Sequence, residues 1–124
     1  MMQSALLVLL LLQLKHLLAD FVYQPAWMYL NKGKFGHPGG LVHAGFHAVL
    51  TWACLLAWAR SPALLAIVVA MEFVVHYIID WAKMNLNDLY GWKCNTSDKF
   101  WQLLGVDQFA HQFTYLVITY MVLS

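Results

Sequence analysis

The sequence predicts an all-α membrane protein, folded as an up-down-up-down bundle of four transmembrane helices. Of its 124 residues, 62% are hydrophobic and only 10% are charged, whereas soluble proteins carry about 25% charged residues. The chain has room for four mostly apolar segments of about 20 residues, the length that crosses a bilayer. Short connections between these segments favour antiparallel neighbours. We therefore predict a single transmembrane domain over residues 1–124.

The first predicted helix covers residues 4–22 and is followed by a long loop. Its apolar run is similar to a signal peptide, but it lacks a basic n-region and an obvious small-residue cleavage site. We therefore predict that this helix is retained. In the loop, Pro25, Pro38 and several glycines rule out a continuous helix before the second predicted helix, residues 41–59.

The third predicted helix covers residues 63–86. Ser61 and Pro62 indicate its beginning, because serine caps helices well and proline fits the first helical position. A polar stretch containing Gly91 predicts the next loop. The fourth predicted helix covers residues 99–123.

The distribution of lysines predicts the orientation of the bundle. Five lysines lie in or beside the loops after the first and third helices: Lys32, Lys34, Lys83, Lys93 and Lys99. By the positive-inside rule these loops are cytoplasmic and both termini lie outside. The formal net charge of +1 gives no indication of a nucleic-acid partner. Cys54 and Cys94 are too far apart in this arrangement for a disulfide, so we expect two free thiols.

The most informative feature is a set of four pairs of ionisable residues inside the apolar segments. The members of each pair are four positions apart: His16/Asp20, His43/His47, His76/Asp80 and Asp107/His111. A step of four on a helix rises about 6 Å and rotates roughly 40°, so both members face the same way. Such groups are costly at membrane depth and normally indicate an ion, proton or substrate site. The predicted topology places all four pairs in the cytoplasmic half, where they can form one site.

The residue types favour a metal site. Imidazole and carboxylate ligands suit zinc, manganese or iron, and there is no cysteine cluster for a thiolate site. Five histidines and three aspartates exceed the needs of one tetrahedral ion, and two ions about 3.5–4 Å apart would use them naturally. Glu72 lies one turn deeper than His76. It is a candidate further ligand, partner of a ligand histidine, or catalytic general base.

Other interpretations of the pairs stay open. The same residues could pass protons or divalent ions across the bundle, or they could simply hydrogen-bond between helices. A transport path would need polar residues in the outer half, where only a thin series exists: Gln13, Thr51, Cys54 and Thr119. A structural metal that holds the helices together is a third alternative. We expect Lys15 and Lys83 to snorkel or balance charge, and His37 to lie on the polar loop surface.

Several motifs resemble a family of small bacterial inner-membrane proteins catalogued as a domain of unknown function. The motifs are His16-Leu17-Leu18-Ala19-Asp20-Phe21 with Gln24-Pro25, Gly40-Leu41 with His43 and His47, His76 to Asp80 with Lys83, and Asp107-Gln108 with His111. The resemblance covers nearly the whole chain and implies no activity. More loosely, the pattern is similar to that of inner-membrane metal-dependent hydrolases, which is an analogy of fold.

The leading hypothesis is therefore a bacterial inner-membrane, metal-dependent hydrolase of a lipid-like or other amphipathic substrate. The eight paired residues supply the metal ligands, with zinc first and manganese or iron as alternatives, and Glu72 is the candidate base. The glycine-rich first loop could gate substrate access. Membrane lipid is the expected partner. A homodimer stays open, although no helix has a compelling small-xxx-small face.

Overall fold

The computed structural model describes residues 1–124 and is all-helical, with no strands. The helices are α1 (Met2–Leu17), continued by a π-helical turn (Leu18–Val22), then α2 (Ala26–Tyr29), α3 (Pro38–Leu55), α4 (Pro62–Tyr90) and α5 (Asp98–Leu123). The prediction of an all-α fold is confirmed. The short α2, inside the first loop, was not predicted.

The helix boundaries differ most from prediction at α3 and α4. Helix α3 begins at Pro38, three residues earlier than expected, because His37 caps it and accepts a hydrogen bond from the Gly39 N–H. His37 thus has a capping role beyond the loop surface expected of it. Helix α4 extends four residues beyond the predicted end and stops at Gly91, whose φ of 66° is left-handed and suits glycine.

The four long helices pack as a ring in which each packs mainly against two others. Helix α1 contacts α3 and α5, and α4 contacts the same two. At one end an apolar core joins the early parts of α1 and α4 to the late parts of α3 and α5, so consecutive long helices are antiparallel. Its fully buried members are Val8, Leu12, Leu55, Val68, Tyr115, Ile118 and Val122, with Leu65 nearly buried.

The opposite end of the bundle is polar inside. Lysine, histidine and carboxylate side chains fill the space that apolar residues fill elsewhere, and most are less than 8% exposed: Lys15, His16, Lys32, His43, His47, Glu72, His76, Asp80, Asp107 and His111. Burying so many ionisable groups is unfavourable unless they pair with each other or hold an ion. The bundle is therefore divided into an apolar half and a polar half.

Two helical segments are long and apolar enough to cross a membrane. They are Met2–Val22, with a mean hydropathy of 1.9, and Pro62–Tyr90, with 2.1. Helices α3 and α5 are long enough but not apolar enough to meet the same test, since α3 carries two histidines and three glycines and α5 carries many polar residues. By this criterion two of the four predicted crossings have the required composition and length.

The loop between α2 and α3 is held firmly against α4. The Gly36 N–H donates to the Tyr77 hydroxyl at 2.7 Å, and the Asn85 side-chain amide donates to the Gly33 carbonyl at 2.9 Å. At Gly40 the backbone approaches closely, since an added Cβ would lie 3.1 Å from Cε2 of Tyr77. The glycine-rich loop, suggested from its composition as a gate for substrate, is thus anchored at several points, and this anchoring holds Lys32 inside the bundle.

Candidate metal centre

The π-helical turn at the end of α1 positions Asp20. The Tyr23 N–H donates to the Leu18 carbonyl at 2.7 Å, an i to i+5 bond that widens the helix locally. The Asp20 carboxylate consequently reaches two helices: Oδ2 lies 3.2 Å from Nε2 of His16, and Oδ1 lies 2.9 Å from Nε2 of His43 on α3. Short π-helical segments occur frequently at functional sites.

A first group of possible ligands is formed by Asp20, His43, His47 and His76, from three helices. One donor atom from each lies within 4.8 Å of the others, and the three histidines are buried. Nε2 of His43 is 3.1 Å from Nε2 of His76, and Nε2 of His47 is 3.4 Å from Oδ1 of Asp20. Two ligand atoms bound tetrahedrally at zinc-like distances lie about 3.3 Å apart. The spacing therefore fits a shared metal ion.

A second group contains His76, Asp80 and His111, so His76 is common to both groups. The Asp80 carboxylate lies between them. Its Oδ2 is 3.3 Å from Nε2 of His43 and of His76, and its Oδ1 is 3.5 Å from Nε2 of His111. The rings of His47, His76 and His111 form a column with centroid separations of 3.7 and 4.2 Å. The two groups together comprise six residues that could hold a metal ion: Asp20, His43, His47, His76, Asp80 and His111.

Two of the eight predicted ligands lie outside both groups. His16 uses both ring nitrogens elsewhere: Nδ1 contacts the Tyr115 hydroxyl at 2.8 Å, and Nε2 contacts Oε1 of Gln108 at 2.9 Å. Asp107 lies beside the second group, with Oδ1 at 3.5 Å from Nε2 of His111. That oxygen is buried and accepts no hydrogen bond. As metal ligands, His16 and Asp107 remain predictions.

Glu72 lies behind the first group and forms a buried ion pair with Lys15. Both side chains are less than 5% exposed, and the Lys15 ammonium also lies 3.2 Å from Nδ1 of His47. Lys15 thus balances charge, one of the two roles expected of it, and does not snorkel to the surface. Glu72 contacts the site through Lys15, and its second carboxylate oxygen is buried without a hydrogen-bond partner.

Lys32 was not recognised from the sequence as part of the site. Its Nζ lies 2.8 Å from Oδ2 of Asp80 and 3.5 Å from Oδ1 of Asp20. In the sequence it is one of several loop lysines, and only the folded loop brings it to the carboxylates. Lys83 has a similar relation to Asp107, with Nζ 3.9 Å from Oδ2.

A cavity of about 600 Å³ connects these carboxylates to the loops between α1 and α3 and between α4 and α5. Its polar lining includes three aspartates of the site, Asp20, Asp80 and Asp107, together with Gln24, Lys32 and Lys83. Its apolar lining includes Phe21, Leu30, Met84, Trp92, Phe100 and Leu104. Glu72 does not line this cavity.

The prediction of two free thiols is confirmed. Cys54 is half-buried and Cys94 is exposed, and both are free thiols as expected.

No curated protein and no solved structure matches the chain. Residues 6–124, which include every residue of the two groups, match the family described as protein of unknown function (DUF3307). The resemblance noted in the sequence is thus confirmed, and the chain belongs to this family.

Proposed function

We propose that this protein is a multi-pass inner-membrane enzyme that binds one or two zinc-type divalent ions and hydrolyses a lipid-like or other amphipathic substrate. The observation that carries the proposal is the convergence of four side chains on one point. Nε2 of His43 lies 2.9 Å from Asp20 Oδ1, 3.1 Å from His76 Nε2 and 3.3 Å from Asp80 Oδ2. Four buried donors at these separations repel one another or leave polar atoms unpaired unless a cation or proton joins them.

The donor set supports zinc, with manganese or iron as alternatives. We assign Asp20, His43, His47 and His76 to a first ion. A second ion would be held by Asp80 and His111 of the second group, with Asp107 beside them and with His76 common to both groups. Support comes from polar atoms that are buried and without hydrogen-bond partners, among them Nε2 of His47, Nε2 of His111 and Oδ1 of Asp107. These atoms point to ligands beyond the protein itself.

The proposal that all four long helices cross the membrane rests on their outward faces. Helices α3 and α5 fail the hydropathy test, but they expose large apolar residues just as α1 and α4 do. Val49 on α3 and Phe109 on α5 are 61% and 68% exposed, close to Leu10 on α1 and Ile67 on α4, at 62% and 59%. An aqueous surface would leave these residues uncovered, whereas lipid covers them. The lysine-bearing loops then lie at the cytoplasmic face.

The proposed chemistry uses the carboxylates of the site, which line a cavity that has both charged and apolar walls. When bound by these residues, a divalent ion would supply Lewis-acid chemistry, polarising a scissile carbonyl or phosphoryl oxygen and lowering the pKa of a bound water. The cavity offers both apolar and charged walls, which suits a substrate with a head group and a tail. Glu72 has no contact with the cavity, so we assign it to holding Lys15 beside His47 and leave proton transfer to an aspartate of the site.

One observation disfavours transport as the function. Beyond the ligand histidines and the Lys15–Glu72 pair behind them, the bundle closes over the buried hydrophobic cluster that includes Val8, Leu12 and Val122. The buried hydroxyls on that side belong to Thr51 and Thr119, and the Thr119 hydroxyl donates to the Tyr115 carbonyl. Ions that leave the site would therefore meet apolar packing, which is costly for a charge.

Elemental analysis and lipid hydrolysis by the purified protein test the proposal. We expect one or two metal equivalents in the wild type and in His37→Asn, which changes a histidine outside the site and keeps a capping side chain. His76→Ala should lose the metal, and hydrolysis should be lost with it. Metal uptake into sealed vesicles that depends on His76, without hydrolysis of any lipid ester or phosphate, would instead establish transport. Metal loss with lower thermal stability and no activity in the wild type would establish a structural metal.

A further inference from the structure

We infer that the substrate is a phosphate-bearing amphiphile, with its phosphate group bound between the metal site and two lysines, Lys32 and Lys83. The inference rests on the proposed function and specifies which amphipathic molecule the cavity selects. It follows from the charge of the cavity, the position of its lysines and the nature of its apolar wall.

The charge of the cavity depends on the metal. Four carboxylates and three ammonium groups line it, those of Asp20, Asp80, Asp88 and Asp107 against those of Lys32, Lys83 and Lys93. The lining therefore carries a net charge of −1 before metal binding, +1 with one divalent ion and +3 with two. A neutral carboxylic ester gains little from a positive cavity, whereas a phosphate anion is attracted by it.

Two lysines flank the carboxylates that we assign to the ions. Lys32 approaches from the loop, with Nζ 2.8 Å from Oδ2 of Asp80, and Lys83 approaches from α4, with Nζ 3.9 Å from Oδ2 of Asp107. A tetrahedral phosphate placed on ions between these carboxylates would have oxygens left over for both ammonium groups. Lysine binds phosphate as a compact charge without a fixed orientation, which suits such flanking positions.

The apolar wall of the cavity favours a lipid phosphate over free phosphate as the ligand. Trp92, Phe100 and Leu104 line the same cavity as the lysines, and Phe21 and Leu30 line it on the side of α1 and α2. Free phosphate would leave these side chains without a partner. The volume of about 600 Å³ falls in the usual range of small-molecule sites, and it accommodates a head group with the beginning of an acyl or prenyl chain.

The reaction that this substrate implies consumes one water. The water oxygen forms a bond to phosphorus, and the bond between phosphorus and the alkoxide oxygen breaks. One water proton remains on the released phosphate and the other protonates the alcohol. No oxidant, reductant or second substrate is needed.

The test compares three probes on the metal-loaded protein in phosphate-free detergent: dihexanoyl phosphatidic acid, inorganic phosphate and dihexanoyl glycerol. Titration calorimetry should show that the lipid phosphate binds at least tenfold more tightly than either of the others. Lys83→Gln should weaken its binding about tenfold, which corresponds to about 1.4 kcal/mol, while Lys83→Arg retains most of the affinity. Lys34→Gln is the matched control, because Lys34 is exposed and pairs with Asn31 away from the cavity.

The outcomes separate this inference from the proposed function. Equal binding of the neutral lipid, in a protein that holds metal and hydrolyses esters, would overturn the phosphate inference alone. Equal binding of inorganic phosphate would overturn the requirement for an apolar tail. A protein that holds no metal by elemental analysis would refute the proposed function itself. If Lys83→Gln fails to fold, Lys83→Met, which keeps an aliphatic side chain and removes the charge, provides the same comparison, and unchanged affinity there would count against the inference.

Discussion

The buried ion pair between Lys15 and Glu72 allows the sharpest test of the site's architecture. Both side chains are less than 5% exposed, so neither charge can turn to water when its partner is removed. Breaking a buried pair by removing one member typically costs about 3–5 kcal/mol. We expect Lys15→Met and Glu72→Leu each to lower the free energy of unfolding by about that amount.

The double variant should cost much less than the two single changes together. Replacing both charges with apolar side chains of similar size is often neutral, but here Nδ1 of His47 loses its contact with Lys15, at 3.2 Å. An unpaired buried polar atom costs about 1–3 kcal/mol. The double variant should therefore lose about 1–3 kcal/mol, whereas independent effects would sum to about 6–10 kcal/mol.

Reversible unfolding in mixed detergent micelles, for the wild type and the three variants, measures this coupling. Lys34→Met serves as the control for removing a lysine charge at an exposed position, and it should change stability by less than about 0.5 kcal/mol. A double variant whose loss equals the sum of the single losses would show that the two charges do not interact as the structure has them. Hydrolysis by the double variant would also exclude Glu72 as the catalytic base, while loss of hydrolysis with metal retained would restore that role.

Three further predictions concern metal content, packing and orientation. His76→Ala should abolish binding at both positions because His76 belongs to both groups, whereas His111→Ala should lose only the second ion, and elemental analysis distinguishes the two. Equal losses would mean that the groups are not separate. Gly39→Ala should destabilise the protein by about 1–3 kcal/mol, since the added Cβ would lie 2.6 Å from the Trp27 carbonyl oxygen. Gly105→Ala is the control: an added Cβ there has nothing within 4 Å, so this change should be neutral or stabilising by up to about 1 kcal/mol. Similar unfolding curves for the two variants would contradict the close approach at Gly39. A membrane-impermeant maleimide should label the exposed Cys94 in inverted vesicles and not in intact cells, in a Cys54→Ala background, and the opposite pattern would place this loop outside.

The sequence was informative about the site because helical spacing is a local property. A separation of four residues places both members of a pair on one face, so the approach of His43, His76 and Asp80 could be expected before the structure was known. The helix ends followed from equally local signals, such as Ser61 and Pro62 before α4. Composition likewise predicted a membrane protein, and two of the helical segments have the length and hydropathy that a crossing requires.

The positions of Lys32, Lys15 and His16 could not be predicted, because they depend on contacts between segments that are distant in the sequence. Lys32 reaches Asp80 because the loop is anchored to α4 through Tyr77 and Asn85, residues more than 40 positions away. Lys15 pairs with Glu72 across 57 positions, and nothing in the sequence of α1 distinguishes this lysine from one that snorkels. The engagement of His16 by Tyr115 and Gln108 is likewise a property of the assembled bundle.

The π-helical turn at Leu18–Val22 links the length of the first helix to the chemistry of the site. Such a turn contains one residue more than a regular α-helical turn would, and that residue lets Asp20 meet His16 and His43 at once. Deleting Ala19 would restore regular helix geometry and rotate the carboxylate by about 100° relative to the residues before it. Loss of a single codon in this turn would therefore separate Asp20 from His43, while every histidine and every member of the apolar cluster at the other end of the bundle stays unchanged.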